Sequence, residues 1–149
     1  MLVEVQFESA DANLPTAEKI KKWVDMVLAE EDEDGDICIR LVGEEEGKML
    51  NQQYRNGDQA TNVLSFSADV DIPEQKMLGD LAICTSVVAS EAQNQNKPIH
   101  DHYAHMVVHG VLHLLGHDHQ NDNQAQQMES LEVKILDRLE VPNPYEANQ

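Results

Sequence analysis

From Met106 to Leu115 seven of ten residues are aliphatic, and the three exceptions are His109, Gly110 and His113. A helix that is apolar around most of its circumference needs protein on nearly every side. Whatever the fold, this segment therefore predicts a buried helix with the rest of the chain arranged around it. The two histidines are four apart, so both imidazoles leave one face within reach of a single ion. Gly116 can end the helix in the left-handed conformation, and the chain can then turn back and bring His119 to the same ion. Three neutral imidazoles leave a tetrahedral metal one open position for water, the arrangement of catalytic rather than structural zinc. The expected cofactor is one Zn2+ per chain, held by His109, His113 and His119.

The spacing matches the H-E-x-x-H-x-x-G-x-x-H pattern of zinc peptidases with one difference. Where those enzymes carry the glutamate that acts as general base, this chain has Gly110. A glycine in mid-helix costs about 1 kcal/mol relative to alanine, so it implies close packing or space for a substrate beside His109. An isolated pair of helical histidines is more often a pair of hydrogen-bonded side chains than a metal site. A third histidine beyond a glycine turn makes that reading hard to sustain. His105 is expected to hydrogen-bond or to support the site from behind, and His100 and His102 to belong to a solvated helix start. His117 lies inside the turn and is not expected to be a ligand. Asp118 either orients His119 or a metal-bound water, or bonds to nearby backbone as a turn residue.

A chain of 149 residues is one domain's worth. Residues 1–149 are expected to form a single metal-dependent hydrolase domain, with a loose tail from about residue 142. No stretch approaches the roughly 20 apolar residues of a membrane span. The N-terminus has neither the basic start nor the apolar run of a signal peptide, so a cytoplasmic location is expected. Cys38 and Cys84 fall in strand-like segments, where free cysteines behave as small buried hydrophobes, and no disulfide framework is expected. A net charge of −18 argues against non-specific nucleic-acid binding over the whole surface. The acidity is uneven: residues 1–47 carry a net of −10, whereas residues 48–120, which hold the histidine motif, carry −4. A local cationic groove formed by Lys48, Arg55 and Lys97 is compatible with that distribution.

Periodicity gives an α+β order. Val3, Val5 and Phe7 alternate as a first strand, and Ile37, Ile39 and Leu41 as a second. Between them Ile20, Trp23, Val24, Val27 and Leu28 recur at helical spacing, with Pro15 in the first turn. Residues 44 to about 54 read as a short helix with Met49, Leu50 and Tyr54 facing inward. Residues 63–66 and the segment introduced by Gly79 and Asp80 read as a third and a fourth strand. Thr85 or Ser86 caps a helix that stops before Pro98. After the histidine helix comes a last amphipathic helix carrying Met128, Leu131, Ile135 and Leu139. The expected result is a small mixed four-stranded sheet covered by about five helices, with the metal site on a buried helix and the following turn.

The segment from Tyr54 to Phe66 concentrates polar groups between a helix and a strand. A turn at Asn56-Gly57, held by Asp58 and Thr61 side chains, accounts for most of it. Arg55 is left needing an anionic partner or solvent, and its planar fork suits a phosphate.

Taken together, the His109–His119 motif, Leu50-Asn51-x-x-Tyr54-Arg55, Thr61-Asn62-Val63-Leu64-Ser65-Phe66 and Leu78-Gly79-Asp80 resemble the YbeY family over roughly residues 48 to 139. That resemblance implies a bacterial metal-dependent endoribonuclease of 16S ribosomal RNA 3′-end maturation and ribosome quality control. It implies zinc on His109, His113 and His119, Arg55 as the functional arginine, and single-stranded or ribosome-bound RNA as substrate, with the ribosomal particle or accessory proteins as partners. The chain departs from the family pattern at Asn62, where many members carry Asp, and at Ser67, where Pro commonly follows the Phe.

Two other functions fit the same residues. One is a different zinc hydrolase such as a peptidase, against which the absent glutamate counts. The other is a ribosome-assembly or interaction protein with a structural metal, which a fourth ligand from His117 or Asp118 would favour.

Overall fold

The computed structural model describes residues 2–55, 61–68 and 77–145, with residues 54 and 55 described in backbone only. The order is β1 (Val3–Glu8), α1 (Ala17–Glu30), β2 (Asp36–Val42), α2 (Glu44–Arg55), β3 (Val63–Ser67), β4 (Met77–Cys84), α3 (Thr85–Asn94), α4 (Ile99–Leu114) and α5 (Asp122–Arg138). The strands form one sheet in the order β1-β2-β4-β3. β1 and β4 flank β2 in parallel, and β3 closes the edge antiparallel to β4. This is the mixed four-stranded sheet with five helices that the periodicity predicts.

Strand alternation decides which sheet face is covered. Ile37, Ile39 and Leu41 are buried while Cys38 and Arg40 between them are partly open. Arg40 uses its position on the open face to pair with Glu8 of β1 at 2.5 Å and with Glu46 of α2. On the covered face lies α4, which touches α1, α3 and α5 as well as β3 and β4. Helix upon helix and sheet beneath, α4 has protein around most of its circumference, as its composition requires. Val107, Val108, Val111 and Leu112 are fully buried in the resulting core.

Gly110 is the residue that lets α4 lie so close to the sheet. A Cβ there would sit 2.8 and 2.9 Å from the two δ-carbons of Leu81 and 3.3 Å from Val63 Cγ2. Of the two explanations for a mid-helix glycine, close packing is the one observed. Helix α1 buries all five residues assigned to its apolar face, and Thr16 caps it by accepting from the Lys19 amide at 3.2 Å. Pro15 therefore stands before the cap rather than in the first turn.

Some local expectations are corrected. Met49 is 65% exposed, since adjacent Met49 and Leu50 cannot both face inward from one short helix. Phe7 does lie in the first strand as expected, 48% exposed near the end of β1. Cys84 is buried but Cys38, on the open face of β2, is only partly so, and both are free thiols. Neither Thr85 nor Ser86 caps α3: the cap residue is Cys84, whose side chain makes no capping bond. Thr85 turns its hydroxyl to Asp11 Oδ2 at 2.6 Å and lies 2.7 Å from Ser9 Oγ, stitching the start of α3 to the loop after β1. Beyond α5, Lys97 Nζ donates to the Pro144 carbonyl at 3.3 Å, and the Tyr145 hydroxyl reaches back to α5. Among the described residues no helix is long and apolar enough to cross a membrane.

Candidate metal centre

His109 and His113 leave the same face of α4 one turn apart, with ring centroids 4.7 Å apart. The helix then ends in a Schellman motif. The His117 amide donates to the Leu112 carbonyl at 3.0 Å and the Gly116 amide to the His113 carbonyl at 3.0 Å. Gly116 adopts φ +103°, which a side chain would strain, and the chain reverses there. That reversal places His119 with its ring 5.0 Å from His113 and 5.6 Å from His109. One ring nitrogen from each of the three histidines lies within 4.8 Å of the others, a group that could hold a metal ion.

The donor set fits zinc. Nitrogens bound at 2.0–2.1 Å in a tetrahedron stand about 3.3 Å apart. With every separation within 4.8 Å, none need shrink by more than about 1.5 Å, and His119 is an exposed side chain on a turn. His109 and His113 are partly buried on a rigid helix and supply the fixed part of the site.

The neighbours of the triad are committed elsewhere. His117 points away, to Glu31 at the end of α1. Asp118 Oδ1 accepts the His119 amide at 2.7 Å and stays 3.8 Å from the His119 ring, so it acts as a turn residue. Neither is part of the group that could hold the ion. The backbone of Arg55 closes α2, and its side chain lies outside the described residues, as does the turn expected at 56–60. The other two cations of the expected groove have partners: Lys48 lies 3.9 Å from Glu44, and Lys97 holds Pro144.

Sequence reasoning missed Glu132. This carboxylate of α5 has no solvent exposure. Its Oε2 meets His109 Nδ1 at 3.1 Å, and its Oε1 meets His105 Nε2 and the Tyr145 hydroxyl, each at 2.6 Å. Burial works to raise its pKa, but the bonds from His105, His109 and Tyr145 outweigh it and hold the group at about 2. An ionised carboxylate only accepts, so all three partners donate to it. The signal was present in the chain: position 132 falls four after Met128 and three before Ile135, a charge set inside an apolar stripe. Of the two roles expected of His105, the hydrogen bond is the one observed.

His102 does not belong to a solvated helix start. It is 3% exposed, and its Nε2 lies 3.0 Å from Glu91 of α3, a carboxylate that Asn62 Nδ2 also approaches at 3.1 Å. Its Nδ1 is buried without a partner among the described residues. Burial lowers the His102 pKa, with His105 and Lys97 adding to the fall and Glu91 opposing it. The unfolded chain therefore takes up the proton first, and folded stability falls as pH drops below about 6.5, the ordinary histidine value. One such group contributes at most about 1.4 kcal/mol per pH unit. Urea unfolding at pH 7.5 and 5.5 should show a smaller loss for His102→Gln than for the native protein; equal losses would show that His102 takes no part.

A small α+β domain whose core helix and following turn present three histidines to one point is a candidate mononuclear metalloprotein. A family model described as Endoribonuclease YbeY matches residues 4–140. Relatives bearing that name include one from Colwellia psychrerythraea, 47% identical over 149 residues, covering 97% of this chain and 96% of that protein. Another, from Nitrosomonas eutropha, is 46% identical over 145 residues, covering 97% and 99%. The solution structure of TM1509 from Thermotoga maritima matches with a TM-score of 0.61 and 25% identity over 97% of this chain and 99% of that one. The chain belongs to the YbeY family of endoribonucleases.

Proposed function

We propose that this chain is a zinc-dependent endoribonuclease that acts in the cytoplasm on the 3′ end of 16S ribosomal RNA and in ribosome quality control. The observation that carries the reading is the convergence of His109, His113 and His119, with no fourth donor from His117 or Asp118, in a chain that belongs to this family. Zinc held there would supply Lewis acidity, polarising a phosphoryl oxygen or lowering the pKa of water to about 7. His109 and His113 fix the position of that chemistry because their helix is locked in the core. Arg55, at the end of α2, is the proposed partner for the negative charge that builds on the phosphoryl oxygens.

The peptidase alternative lacks its base. Position 110 is glycine packed on Leu81, and Glu132 is consumed by three donors behind His109, on the ring edge that meets α5. Phosphodiester hydrolysis has less need of a carboxylate, since RNA also offers its own 2′-hydroxyl as nucleophile. The chain has two Phe, three Tyr and one Trp, so base-stacking platforms are few and recognition is assigned to the ribosomal particle or an accessory protein.

The test is cleavage of a 16S ribosomal RNA 3′ precursor, naked and within the small ribosomal particle, by native protein and Arg55→Ala. Native protein should cut in the presence of zinc, and Arg55→Ala should be slower by about 10²–10³-fold. Equal rates remove Arg55 from the chemistry; no cleavage of either substrate favours an assembly factor with a structural metal.

A further inference from the structure

A buried carboxylate bonded to the outer nitrogen of a metal-binding histidine fixes which nitrogen faces the metal. Glu132 stands in that relation to His109, 3.1 Å from its Nδ1. An imidazole that donates from Nδ1 keeps its proton there and leaves Nε2 bare as an acceptor. The carboxylate cannot drift, because its other oxygen is gripped by His105 one helical turn earlier and by Tyr145 from beyond α5. Tyr145 and His105 also touch each other, with Nε2 and the hydroxyl 3.2 Å apart. One carboxylate thus ties α4, α5 and the segment after α5 to a single face of the triad.

We infer that Glu132 is a positioning residue of the metal centre, which selects the Nδ1–H tautomer of His109 and aims its Nε2 at the metal, and that Tyr145 holds Glu132 in that role. The inference rests on the reading of the three histidines as a metal site. Without the metal the three bonds would still join two helices, so the role must be measured on the metal and on the imidazole rather than on folding.

Two readouts decide it. Nitrogen–proton correlation spectra of the imidazoles report the tautomer of His109 in zinc-loaded native protein, with the signal assigned by comparison with His109→Gln. Competition with a chromogenic chelator reports zinc affinity for native, Glu132→Gln, Tyr145→Phe and His113→Ala proteins. The expected tautomer is Nδ1–H. The affinity of Glu132→Gln should fall by about 10–100-fold, the usual range for loss of such a partner, and that of Tyr145→Phe by less. A His109 proton on Nε2 overturns the assignment, as does a Glu132→Gln affinity within about twofold of native. If Glu132→Gln does not fold, the tautomer in native protein and the Tyr145→Phe affinity decide instead. Native protein that binds zinc no better than His113→Ala overturns the metal reading itself, a result distinct from native binding that Glu132→Gln leaves intact.

Discussion

Replacing His113 by alanine is expected to abolish RNA cleavage and to weaken zinc binding sharply. The triad offers three protein nitrogens, and the variant keeps two. His117 is held by Glu31 and Asp118 by the backbone of its own turn, so neither is placed to substitute. Zinc bound by four protein ligands gains about 10–16 kcal/mol, so one ligand's equal share is about 3 kcal/mol, or roughly a hundredfold or more in affinity. The fold should survive. His113 is partly exposed at the end of α4, and its replacement removes neither Leu112 nor Leu114, the buried residues on either side. The checks are bound zinc per chain, cleavage of the ribosomal precursor and the thermal midpoint. Full activity in zinc-free His113→Ala would remove the metal from the mechanism.

The parts of the fold that were legible in the chain are those where one face is covered and the other is not. Ile37, Ile39 and Leu41 against Cys38 and Arg40, or the five buried residues of α1, follow directly from side-chain period. The histidine helix was legible for the opposite reason: an apolar surface all round admits only a buried position. The triad followed from the same segment, because its spacing and its glycine turn are local. What was not legible depends on partners distant in the chain. His102 sits near a helix start beside polar residues, and only the packing of α3 against α4, which supplies Glu91, makes that start a buried one. Glu132 needed α5 to cross behind His109, a relation between residues 23 apart. Its place in an apolar stripe was visible; what it would meet there was not. The order β1-β2-β4-β3 likewise rests on long-range pairing that no local pattern specifies.

Gly79→Ala should be the most damaging single-methyl change in the sheet, costing about 4 kcal/mol. Gly79 has φ +143°, a region closed to alanine except at a cost of about 1–3 kcal/mol. The register of β2 against β4 slips at this point: Asp36 pairs with Met77 but Ile37 with Gly79, leaving Leu78 as the extra residue. The kink presses Gly79 into β3. A Cβ there would lie 2.2 Å from the Phe66 carbonyl oxygen, a contact with backbone that no side-chain rotation relieves. Overpacking adds a further 1–3 kcal/mol or so. The same methyl would come within 2.9 Å of Leu114 Cδ2, at the last residue of α4 and next to His113, so the strain falls on the end of the helix that carries the candidate metal site. Gly110→Ala is the control. Its new methyl meets the δ-carbons of Leu81, which can rotate, and alanine returns about 1 kcal/mol of helix propensity, so its net cost should be much smaller. At about 2–4 °C per kcal/mol for a chain of this size, Gly79→Ala should melt roughly 8–16 °C below native. A drop equal to that of Gly110→Ala would mean that β3 and β4 can part at the kink without loss, and that the backbone there is not strained against the histidine helix.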